Sequence, residues 1–277
     1  MPRAALVYQP MVEAALELAR RCEEPLAARG LEPSILSSAE LTPDARSDDL
    51  QLALAFGGDG TILRTARWLA GAEVPVIGVQ MGRLGFLAEL LPSEIPSRLK
   101  PYLEGDYWLD RRSMLEAELL GTAPSPSAAQ PPHLLALNDV VVARGASLRT
   151  ITVDLSTDDH LLRQFRCDGL IVATATGSTA YSFSAGGPVL APDSTDVVVT
   201  PICPHLSAVR SLVLPSETGL RLKVWTSQPA VLTADGQIEH PLSDGQVVHV
   251  HMSTSITTFA RRGTRAELYG RILAKLG

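Results

Sequence analysis

Hydrophobic and polar positions follow two different patterns along the chain, and the change falls near Gly105. Before this point, short apolar runs alternate with segments whose apolar residues recur at helical spacing. This alternation predicts a Rossmann-like parallel sheet with helices on its faces. After this point, short strand-like runs succeed one another with turn signals between them, which predicts an all-β sandwich. We therefore predict a first domain over 1–104, a second over 105–259, and a segment 260–277 that packs back on the first.

The first half contains three predicted strands and three predicted helices. The strands are Arg3–Tyr8, Leu50–Phe56 and Val74–Val79. The helices are Val12–Arg29, which stops at Gly30, then Ile62–Ala70, and a third that Ser93 caps and that runs to about Leu103.

The second half contains many predicted strands and almost no helix before its end. These strands are Met114–Leu120, Leu134–Arg144, Thr150–Ser156, Leu161–Arg166, Leu170–Ala173, Val197–Thr200, Leu220–Trp225, Val231–Ala234 and Val247–Met252. Turn signals stand at Asp158-Asp159, Asp235-Gly236 and Asp244-Gly245. Gly121–Pro132, rich in Pro, Ala and Ser, predicts a mobile loop. Arg265–Leu276 predicts an amphipathic helix that needs an apolar partner, which we expect in the first domain.

Composition narrows the class of protein. The 277 residues are 45% hydrophobic and 19% charged, which indicates a folded chain. A net charge of -6 argues against nucleic acid as a partner. Cys22, Cys167 and Cys203 show no CxxC spacing, which favours a reducing compartment. No signal peptide or apolar stretch of about 20 residues is visible, so we expect a cytoplasmic protein without a membrane partner.

The most informative segment is the glycine-rich turn Phe56–Thr61. It follows the apolar run Leu52–Ala55 and precedes a helical pattern over Ile62–Leu69. Glycines expose backbone N–H groups, and a helix start adds partial positive charge, so this arrangement predicts a phosphate site. Asp59 would repel a phosphate there, so its presence needs a chemical reason such as a general base. The alternative is that Asp59 only caps the helix that follows.

Two further segments carry polar side chains beside apolar strands. The run Arg166–Ser182 leads from the buried-strand pattern Leu170–Ala173 into a turn rich in hydroxyls, which suits a ribose or phosphate. The alternative is a Ser/Thr-rich turn that caps its own backbone. Asn138 and Asp139 can bracket a sugar diol, the amide donating and the carboxylate accepting. Taken alone, this pair is better explained as an ordinary Asx turn.

Several common sites are absent from the sequence. There is no GxxxxGK[ST] phosphate loop, since no lysine precedes Lys100, and no GxGxxG, HExxH or GxSxG pattern. The sequence also has no cluster of Cys and His residues that would predict a zinc site. His249 and His251 share one face of a predicted strand, but without further ligands they are interpreted as surface residues. The class of protein still open is an enzyme that acts on phosphate through a less common type of site.

Taken together, these segments resemble the NAD kinase family. The motifs that match are Gly57-Gly58-Asp59-Gly60-Thr61, Asn138-Asp139, Asp168-Gly169-Leu170 through Thr176-Gly177-Ser178-Thr179-Ala180-Tyr181, Gly186-Gly187-Pro188 and Pro204-His205-Leu206-Ser207. They fall in the family's order over roughly residues 50–240. Lipid kinases and phosphofructokinases share the first motif, whereas the run from Asp168 to Ser182 is much more specific.

The resemblance implies an N-terminal α/β domain, a C-terminal β-sandwich domain and an active site between them. It implies transfer of the ATP γ-phosphate to the 2′-hydroxyl of the adenosine ribose of NAD, giving NADP, with Asp59 as the general base. Residues implied for phosphate and ATP are Gly57, Gly58, Gly60, Thr61 and Arg64. Residues implied for NAD are Asp59, Gly60, Arg64, Asn138, Asp139, Arg149, Arg166, Asp168, Thr176, Thr179, Ala180, Tyr181, Ser182, Phe183, Ser184 and Gln237.

The resemblance also implies Mg²⁺ with ATP as donor, without naming direct metal ligands, and a homodimer or homotetramer. One departure concerns Asp139, where the family usually has Glu; the shorter side chain retracts the carboxylate by one methylene.

Two other functions compete with the kinase. A lipid or diacylglycerol kinase predicts an acyl pocket, and a non-catalytic NAD(P) sensor predicts binding without turnover.

Overall fold

The computed structural model describes residues 1–42, 46–82, 85–120, 133–147, 149–157, 160–205 and 210–276. The predicted loop Gly121–Pro132, the turn Asp158-Asp159 and the residues Leu206-Ser207 lie outside these ranges. The chain forms two compact units. Unit 1 comprises Met1–Arg112 and Ile256–Gly277, and unit 2 comprises Ser113–Ser255.

The elements follow in chain order. The strands are β1 (Arg3–Tyr8), β2 (Glu32–Ser37), β3 (Leu50–Gly57), β4 (Pro75–Gln80), β5 (Trp108–Leu120), β6 (His133–Ala136), β7 (Asp139–Arg144), β8 (Ile151–Thr157), β9 (His160–Cys167), β10 (Gly169–Ala173), β11 (Val197–Ile202), β12 (Leu212–Leu214), β13 (Leu220–Trp225), β14 (Ala230–Ala234), β15 (Ile238–Leu242) and β16 (Val247–Arg261). The helices are α1 (Glu13–Arg21), α2 (Glu23–Ala27), α3 (Asp59–Trp68), α4 (Ile95–Leu103), α5 (Tyr181–Ser184) and α6 (Arg265–Leu276). Within the described ranges, no helix combines the length and apolarity needed to cross a membrane.

Unit 1 is built on a parallel sheet. Its strands lie in the order β2-β1-β3-β4, and Leu6 of β1 pairs with Ile35 on one side and Leu54 on the other. The end of β16 continues the sheet beside β4, where Thr258 and Phe259 pair in parallel. The apolar runs of β1 and β3 are buried because helices cover the sheet. The predicted α/β class is confirmed for this unit.

The prediction of one helix over Val12–Arg29 is wrong, because two helices occupy this stretch. α1 ends at Arg21, and α2 starts at Glu23. Pro25 is the physical reason: it has no N–H, and its ring would clash with the carbonyl of Arg21 in a continuous helix. A proline in the first turn of a new helix meets neither problem. Strand β2, which follows, was not predicted.

Two helix starts differ from the predictions. α3 begins at Asp59 rather than Ile62, because the Gly58 carbonyl already accepts the N–H groups of Thr61 at 3.0 Å and Ile62 at 3.2 Å. α4 begins at Ile95 after a 3-10 turn over Pro92–Glu94, and Ser93 does not cap it. The carboxylate of Glu94 accepts the N–H of Leu91 at 2.8 Å instead.

Unit 2 is an antiparallel β-sandwich. One sheet has the strand order β12-β11-β10-β7-β14-β15, and the other brings β9, β8, β13 and the first half of β16 together, with β5 beside β16 and β6 beside β5. Buried apolar side chains from both sheets, such as Val142 and Leu170 from the first and Val153 and Leu222 from the second, form one core. The predicted all-β sandwich is confirmed.

The strands of unit 2 differ from the predictions in several ways, and β5 begins at Trp108 rather than at Met114. The single strand predicted over Leu134–Arg144 is two strands, β6 and β7, because the chain leaves the pairing at Leu137 and Asn138, whose N–H groups donate to Asp235. β16 does not end at Met252 but runs to Arg261, since its last residues pair in unit 1. The short strands β12 and β15 were not predicted.

The C-terminal helix α6 has the predicted bounds and packs within unit 1. Leu268 and Ile272 are its buried apolar residues, as its amphipathic pattern requires. The Arg271 guanidinium lies 3.2 Å from the carboxylate of Glu89. The expectation that this helix returns to the first domain is confirmed.

Glu89 belongs to a buried ionic network in unit 1. Arg261, 1% exposed, contacts Glu89 and Asp110 at 3.2 Å each and donates to the Leu87 carbonyl at 2.9 Å. Arg112 makes a bidentate pair with Asp110 at 2.7 and 2.8 Å. Charges this deeply buried are tolerated because each has an opposite charge and hydrogen-bond partners. The network ties the end of β16 to the segment that follows β4.

Candidate active site

The glycine-rich turn lies where β3 ends and α3 begins, at the carboxyl end of a parallel strand. Ligands of open α/β sheets bind at this end of the strands. Gly58 is extended and stands before the first turn of α3, and Asp59 is the first helical residue. Gly60 is exposed, so its backbone is accessible to a ligand. The turn therefore has the geometry that the sequence predicted for a phosphate site.

The carboxylate of Asp59 is held by backbone N–H groups from a later loop. Phe86 donates to Oδ2 at 2.8 Å, and Leu87 donates to Oδ1 at 3.1 Å. The loop comes so close that a Cβ atom on Gly85 would lie 2.1 Å from Oδ1. The N–H of Gly85 is in turn fixed by the side-chain oxygen of Gln80 at 3.0 Å. A carboxylate held through both oxygens has a defined orientation at the start of α3.

Sequence reasoning missed this loop, because backbone donors leave no side-chain pattern to detect. It also missed Lys275 of α6, whose ammonium donates to the Gly85 carbonyl and lies 5.5 Å from the ring centre of Phe86. Burial lowers the pKa of Lys275, while the charge of Asp59 acts in the opposite direction. The lysine thus stabilises the segment whose N–H groups hold Asp59.

Two other residues predicted for phosphate lie on α3. The Thr61 side chain is buried, and its hydroxyl has no hydrogen-bond partner among the described residues. It faces the backbone of Gly57, where a Cβ atom would lie 2.2 Å from Oγ1. Arg64 is half-buried one turn further along the helix.

In unit 2, Asn138 and Asp139 stand at the start of β7, fixed by Asp235. Its carboxylate accepts the N–H groups of Leu137 at 3.1 Å, Asn138 at 2.7 Å and Asp139 at 3.3 Å. Asp235 itself stands in a left-handed conformation, φ 52°, in the turn between β14 and β15. The sequence predicted this turn but not its role as an anchor for the Asn-Asp pair.

The carboxyl group of Asp139 has a perturbed acidity. It is 4% exposed, and burial together with the nearby charge of Asp235 raises its pKa from 3.8 to about 7. A buried carboxyl group close to a second carboxylate resists ionisation. A shift of this size is typical of groups that act on a ligand.

The hydroxyl-rich segment predicted for ribose packs directly against Asn138. Thr174 donates its N–H to the Asn138 carbonyl at 2.9 Å and its hydroxyl to the Leu137 carbonyl at 2.6 Å. Gly177 approaches the same carbonyl so closely that a Cβ atom would lie 2.0 Å from the oxygen. The structure therefore brings Asn138 together with Thr176, buried within the same turn.

The short helix α5 divides its residues between core and surface. Ser182 is fully buried, and its hydroxyl bonds that of Thr200 at 2.9 Å. Tyr181 and Phe183 are 48% and 38% exposed, and Ser184 is also exposed. Thr179 and Ala180 are half-buried, and the Thr179 hydroxyl donates to the Thr176 carbonyl at 3.1 Å. Exposed aromatic rings on a four-residue helix are unexpected for packing and suit contact with a ligand.

The remaining predicted residues of unit 2 occupy different strands. Asp168 precedes β10, and its carboxylate lies 3.1 Å from the guanidinium of Arg144, which sequence reasoning did not single out. Arg166 is exposed on β9 and donates to the Thr150 hydroxyl at 3.2 Å. Arg149 is exposed, and Gln237 is half-buried just after the Asp235 turn.

Comparison with known proteins agrees with this description. Sequence models of the ATP-NAD kinase N-terminal and C-terminal domains match residues 37–107 and 137–262. An NAD kinase of Dehalococcoides mccartyi is 41% identical over 277 residues, which cover 99% of this chain and 95% of the relative. The crystal structure of an NAD kinase from Archaeoglobus fulgidus in complex with ATP superposes with a TM-score of 0.79 at 28% identity, over 98% of this chain and 99% of that one. The crystal structure of yeast NADH kinase complexed with NADH superposes with a TM-score of 0.78 at 25% identity, over 99% of this chain and 87% of that one.

The fold and the matched domains define the class of protein as a phosphotransferase. The chain belongs to the NAD kinase family.

Proposed function

We propose that this protein transfers the γ-phosphate of ATP to the 2′-hydroxyl of the adenosine ribose of NAD, which yields NADP. Unit 1 would supply the phosphate turn and Asp59, and unit 2 would supply the contacts to the dinucleotide. The observation that carries the proposal is the fixed carboxylate of Asp59 beside a glycine turn and a helix start. A site that only bound phosphate would gain nothing from a negative charge there.

Asp59 acts in this proposal as the general base for the ribose hydroxyl. A carboxylate has about four acceptor positions, so two N–H donors leave room for a hydroxyl proton. The loop Gly85–Leu87 keeps the carboxylate from rotating, which favours one direction of proton transfer. The N–H groups of the turn and of the start of α3 offset the charge of the phosphate. Gly57, Gly58, Gly60, Thr61 and Arg64 are the residues proposed for this phosphate contact.

The residues proposed for the dinucleotide lie in unit 2. Asn138 and Asp139 are held rigidly by Asp235 and Thr174 and would bind ribose hydroxyls. The exposed side chains of Tyr181, Phe183 and Ser184 offer stacking and polar contacts. The further proposed contacts are Arg149, Arg166, Asp168, Thr176, Thr179, Ala180, Ser182 and Gln237.

The described residues fit a resident magnesium site poorly. Among the described residues, the one group of three or more acidic, histidine or cysteine side chains that could hold a metal does not include Asp59. Mg²⁺ keeps several waters and usually binds through substrate phosphates. We therefore propose that Mg²⁺ arrives as part of the ATP substrate.

Two assignments rest on less specific support. The cysteines are free thiols, which suits work in a reducing cytoplasm. A homodimer or homotetramer is proposed from the family and is checked by light scattering after size-exclusion chromatography.

The decisive experiment is an activity matrix. The protein is incubated with ATP or inorganic polyphosphate as donor, and with NAD, NADH or a diacylglycerol as acceptor, and NADP, NADPH and phospholipid are quantified. We expect NADP from NAD and ATP. Phosphorylation of the lipid in preference to NAD would identify a lipid kinase, and NADP binding without turnover under several divalent metals would identify a sensor.

A further inference from the structure

A second group of chemically active side chains lies in unit 2 and includes none of the residues proposed for the kinase reaction. It stands on one face of the three neighbouring strands β6, β5 and β16. Glu116 and Glu118 alternate along β5, His133 lies opposite Glu118 on β6, and His251 lies on β16. We call these four residues the His–Glu cluster.

Three of the four residues bring their polar atoms close to one another, and the fourth lies beside one of these three. One ligand atom each from Glu116, Glu118 and His133 lies within 4.8 Å of the other two. The Nε2 atom of His133 bonds a carboxylate oxygen of Glu116 directly and lies 4.0 Å from Glu118. His251 brings its Nε2 atom to 3.7 Å from the same oxygen of Glu116. Three side chains from two strands therefore bring their ligand atoms together, and His251 from a third strand adds a ring nitrogen beside Glu116.

Hydrogen bonding alone does not explain where the His251 ring lies. Its Nδ1 atom is buried and has no hydrogen-bond partner among the described residues. Its ring stacks on that of His249, with centroids 5.0 Å apart. A ring nitrogen buried without a partner costs free energy, and stacking with a neighbouring imidazole fixes the ring so that Nε2 faces Glu116.

The carboxylate of Glu116 is oriented by a neighbouring side chain. The Ser253 hydroxyl donates a hydrogen bond to it at 2.9 Å. The Ser253 bond occupies Oε2 and leaves Oε1 facing the two imidazoles. A hydrogen-bonded second oxygen is the usual support for a carboxylate that ligates a metal.

We propose that the His–Glu cluster binds a divalent transition-metal ion of the zinc class. Two imidazoles with two carboxylates form a mixed nitrogen and oxygen set, which suits Zn²⁺, whereas Ca²⁺ and Mg²⁺ prefer oxygen alone. Metal–ligand distances of about 2.1 Å place neighbouring ligand atoms of a tetrahedral site about 3.4 Å apart. The His251–Glu116 and His133–Glu118 separations of 3.7 and 4.0 Å are close to this spacing, and the metal would replace the His133–Glu116 hydrogen bond.

The bound ion would be structural, because none of its ligands belongs to the residues proposed for NAD or ATP. It would crosslink β6, which is only four residues long, to β5 and β16. The proposal is therefore independent of the kinase activity and stands or falls by direct metal binding.

Co²⁺ tests the site, since its visible absorption reports both coordination number and ligand type. Co²⁺ chloride is titrated into the metal-free full-length protein and then displaced with Zn²⁺, which gives the zinc affinity. The variants are His133→Gln and His251→Gln, and the matched control is His160→Gln, an exposed histidine on β9. Circular dichroism checks that each variant is folded.

We expect the intense bands of four-coordinate Co²⁺ in the parent and in His160→Gln. Removing a residue that only supports a metal ligand lowers metal affinity by about 10- to 100-fold. Each variant that removes a ligand itself should therefore lose at least about 100-fold in metal affinity. Weak six-coordinate bands only, or equal affinity in all variants, would overturn the proposal. Sulfur-to-metal charge-transfer bands would also overturn it, since they would assign the metal to the exposed thiol of Cys203.

Discussion

Two aspartates of the candidate site are held in opposite ways. Asp59 in unit 1 receives two backbone N–H donors, which compensate a negative charge. Asp139 in unit 2 is buried near the carboxylate of Asp235, and its pKa rises to about 7. The first environment is built to keep a carboxylate oriented, and the second to keep a proton available near neutral pH.

The comparison shows that residue type does not determine chemical role here. Asp59 was predicted from a glycine-rich turn that follows a strand, and Asp139 from an Asn-Asp pair at the start of a strand. The hydrogen-bond donors around Asp59 give it the features of a base. The neighbouring carboxylate of Asp235 gives Asp139 the features of a ribose contact that depends on pH. The five predictions below test this difference, from the largest expected effect to the smallest.

Asp59→Asn tests the base directly. The amide keeps the shape but cannot accept the ribose proton, so kcat for NADP formation should fall by about 10²- to 10⁴-fold. The KM for NAD should change less than kcat, because most of the contacts proposed for the dinucleotide are made by residues of unit 2. Asp106→Asn, an exposed aspartate of unit 1 with a 67% exposed side chain, is the matched control. Turnover near the parent value in the Asp59 variant would remove Asp59 from the base role.

Gly85→Ala tests whether orientation matters as much as charge. The new Cβ atom would lie 2.1 Å from the Asp59 carboxylate, so either the loop or the aspartate must move. A displacement of about 1 Å at a reacting group can cost about 10²-fold in rate, and we expect a loss of that order in kcat. Gly82→Ala is the control, because a Cβ atom there meets nothing within 4 Å. Equal activity of the two variants would show that the loop does not position Asp59.

The pH dependence of NAD binding tests Asp139. The ionised carboxylate accepts ribose hydroxyls better than the protonated acid, so NAD affinity should rise as pH increases through about 7. The gain should be about 5-fold, the difference of about 1 kcal/mol between charged and neutral hydrogen bonds. Calorimetric titration on either side of this pH measures it. Asp139→Asn should abolish the rise, and persistence of the rise in that variant would assign it to another group.

The contribution of Asp139 to the free energy of unfolding should fall as pH rises, whereas the affinity for NAD should rise. The folded pKa of Asp139 is raised, so below pH 3.8 the group is protonated in both states, and its contribution to stability is fully present. Between 3.8 and about 7 only the folded chain retains the proton, so this contribution is lost progressively as pH rises. Urea unfolding of the parent and of Asp139→Asn, compared at both ends of this window, isolates the effect.

Lys275→Met should have the smallest effect. It removes the ammonium that bonds the Gly85 carbonyl but keeps the apolar stem, so unit 1 should lose about 1 kcal/mol in free energy of unfolding. The measurement is urea unfolding, with Lys100→Met as control, since Lys100 is 70% exposed on α4. A loss no larger than that of the control would show that Lys275 does not stabilise the loop.

The sequence predicted the architecture well because its signals are local. Apolar runs, helical spacing and turn residues gave the α/β and β-sandwich classes and the bounds of β1, β13 and α6. The failures were local too: Pro25 divides a helix whose pattern of apolar residues continues through it. Strands β12 and β15 are short and partly exposed, so they lack the buried run that marks a strand.

The supporting contacts of the site could not be predicted in the same way. Asp59 and Asn138 were identified from motifs, but Phe86 and Leu87 contribute backbone N–H groups, for which any residue type would serve. Asp235 was assigned to a turn only, although it anchors the chain 96 to 98 residues away. Such contacts depend on which strands become neighbours, and a single sequence carries no direct signal of that.

The buried network around Arg261 has a consequence for synthesis. Glu89 and Asp110 leave the ribosome about 150 residues or more before their partner, and until then unit 1 contains two acidic groups awaiting burial. Ser113–Ser255 is continuous in sequence, so unit 2 can complete its folding while unit 1 still waits for β16 and α6. Unit 1 contains the first residues to be made, but its fold can be completed only after Ile256–Gly277 have been made as well.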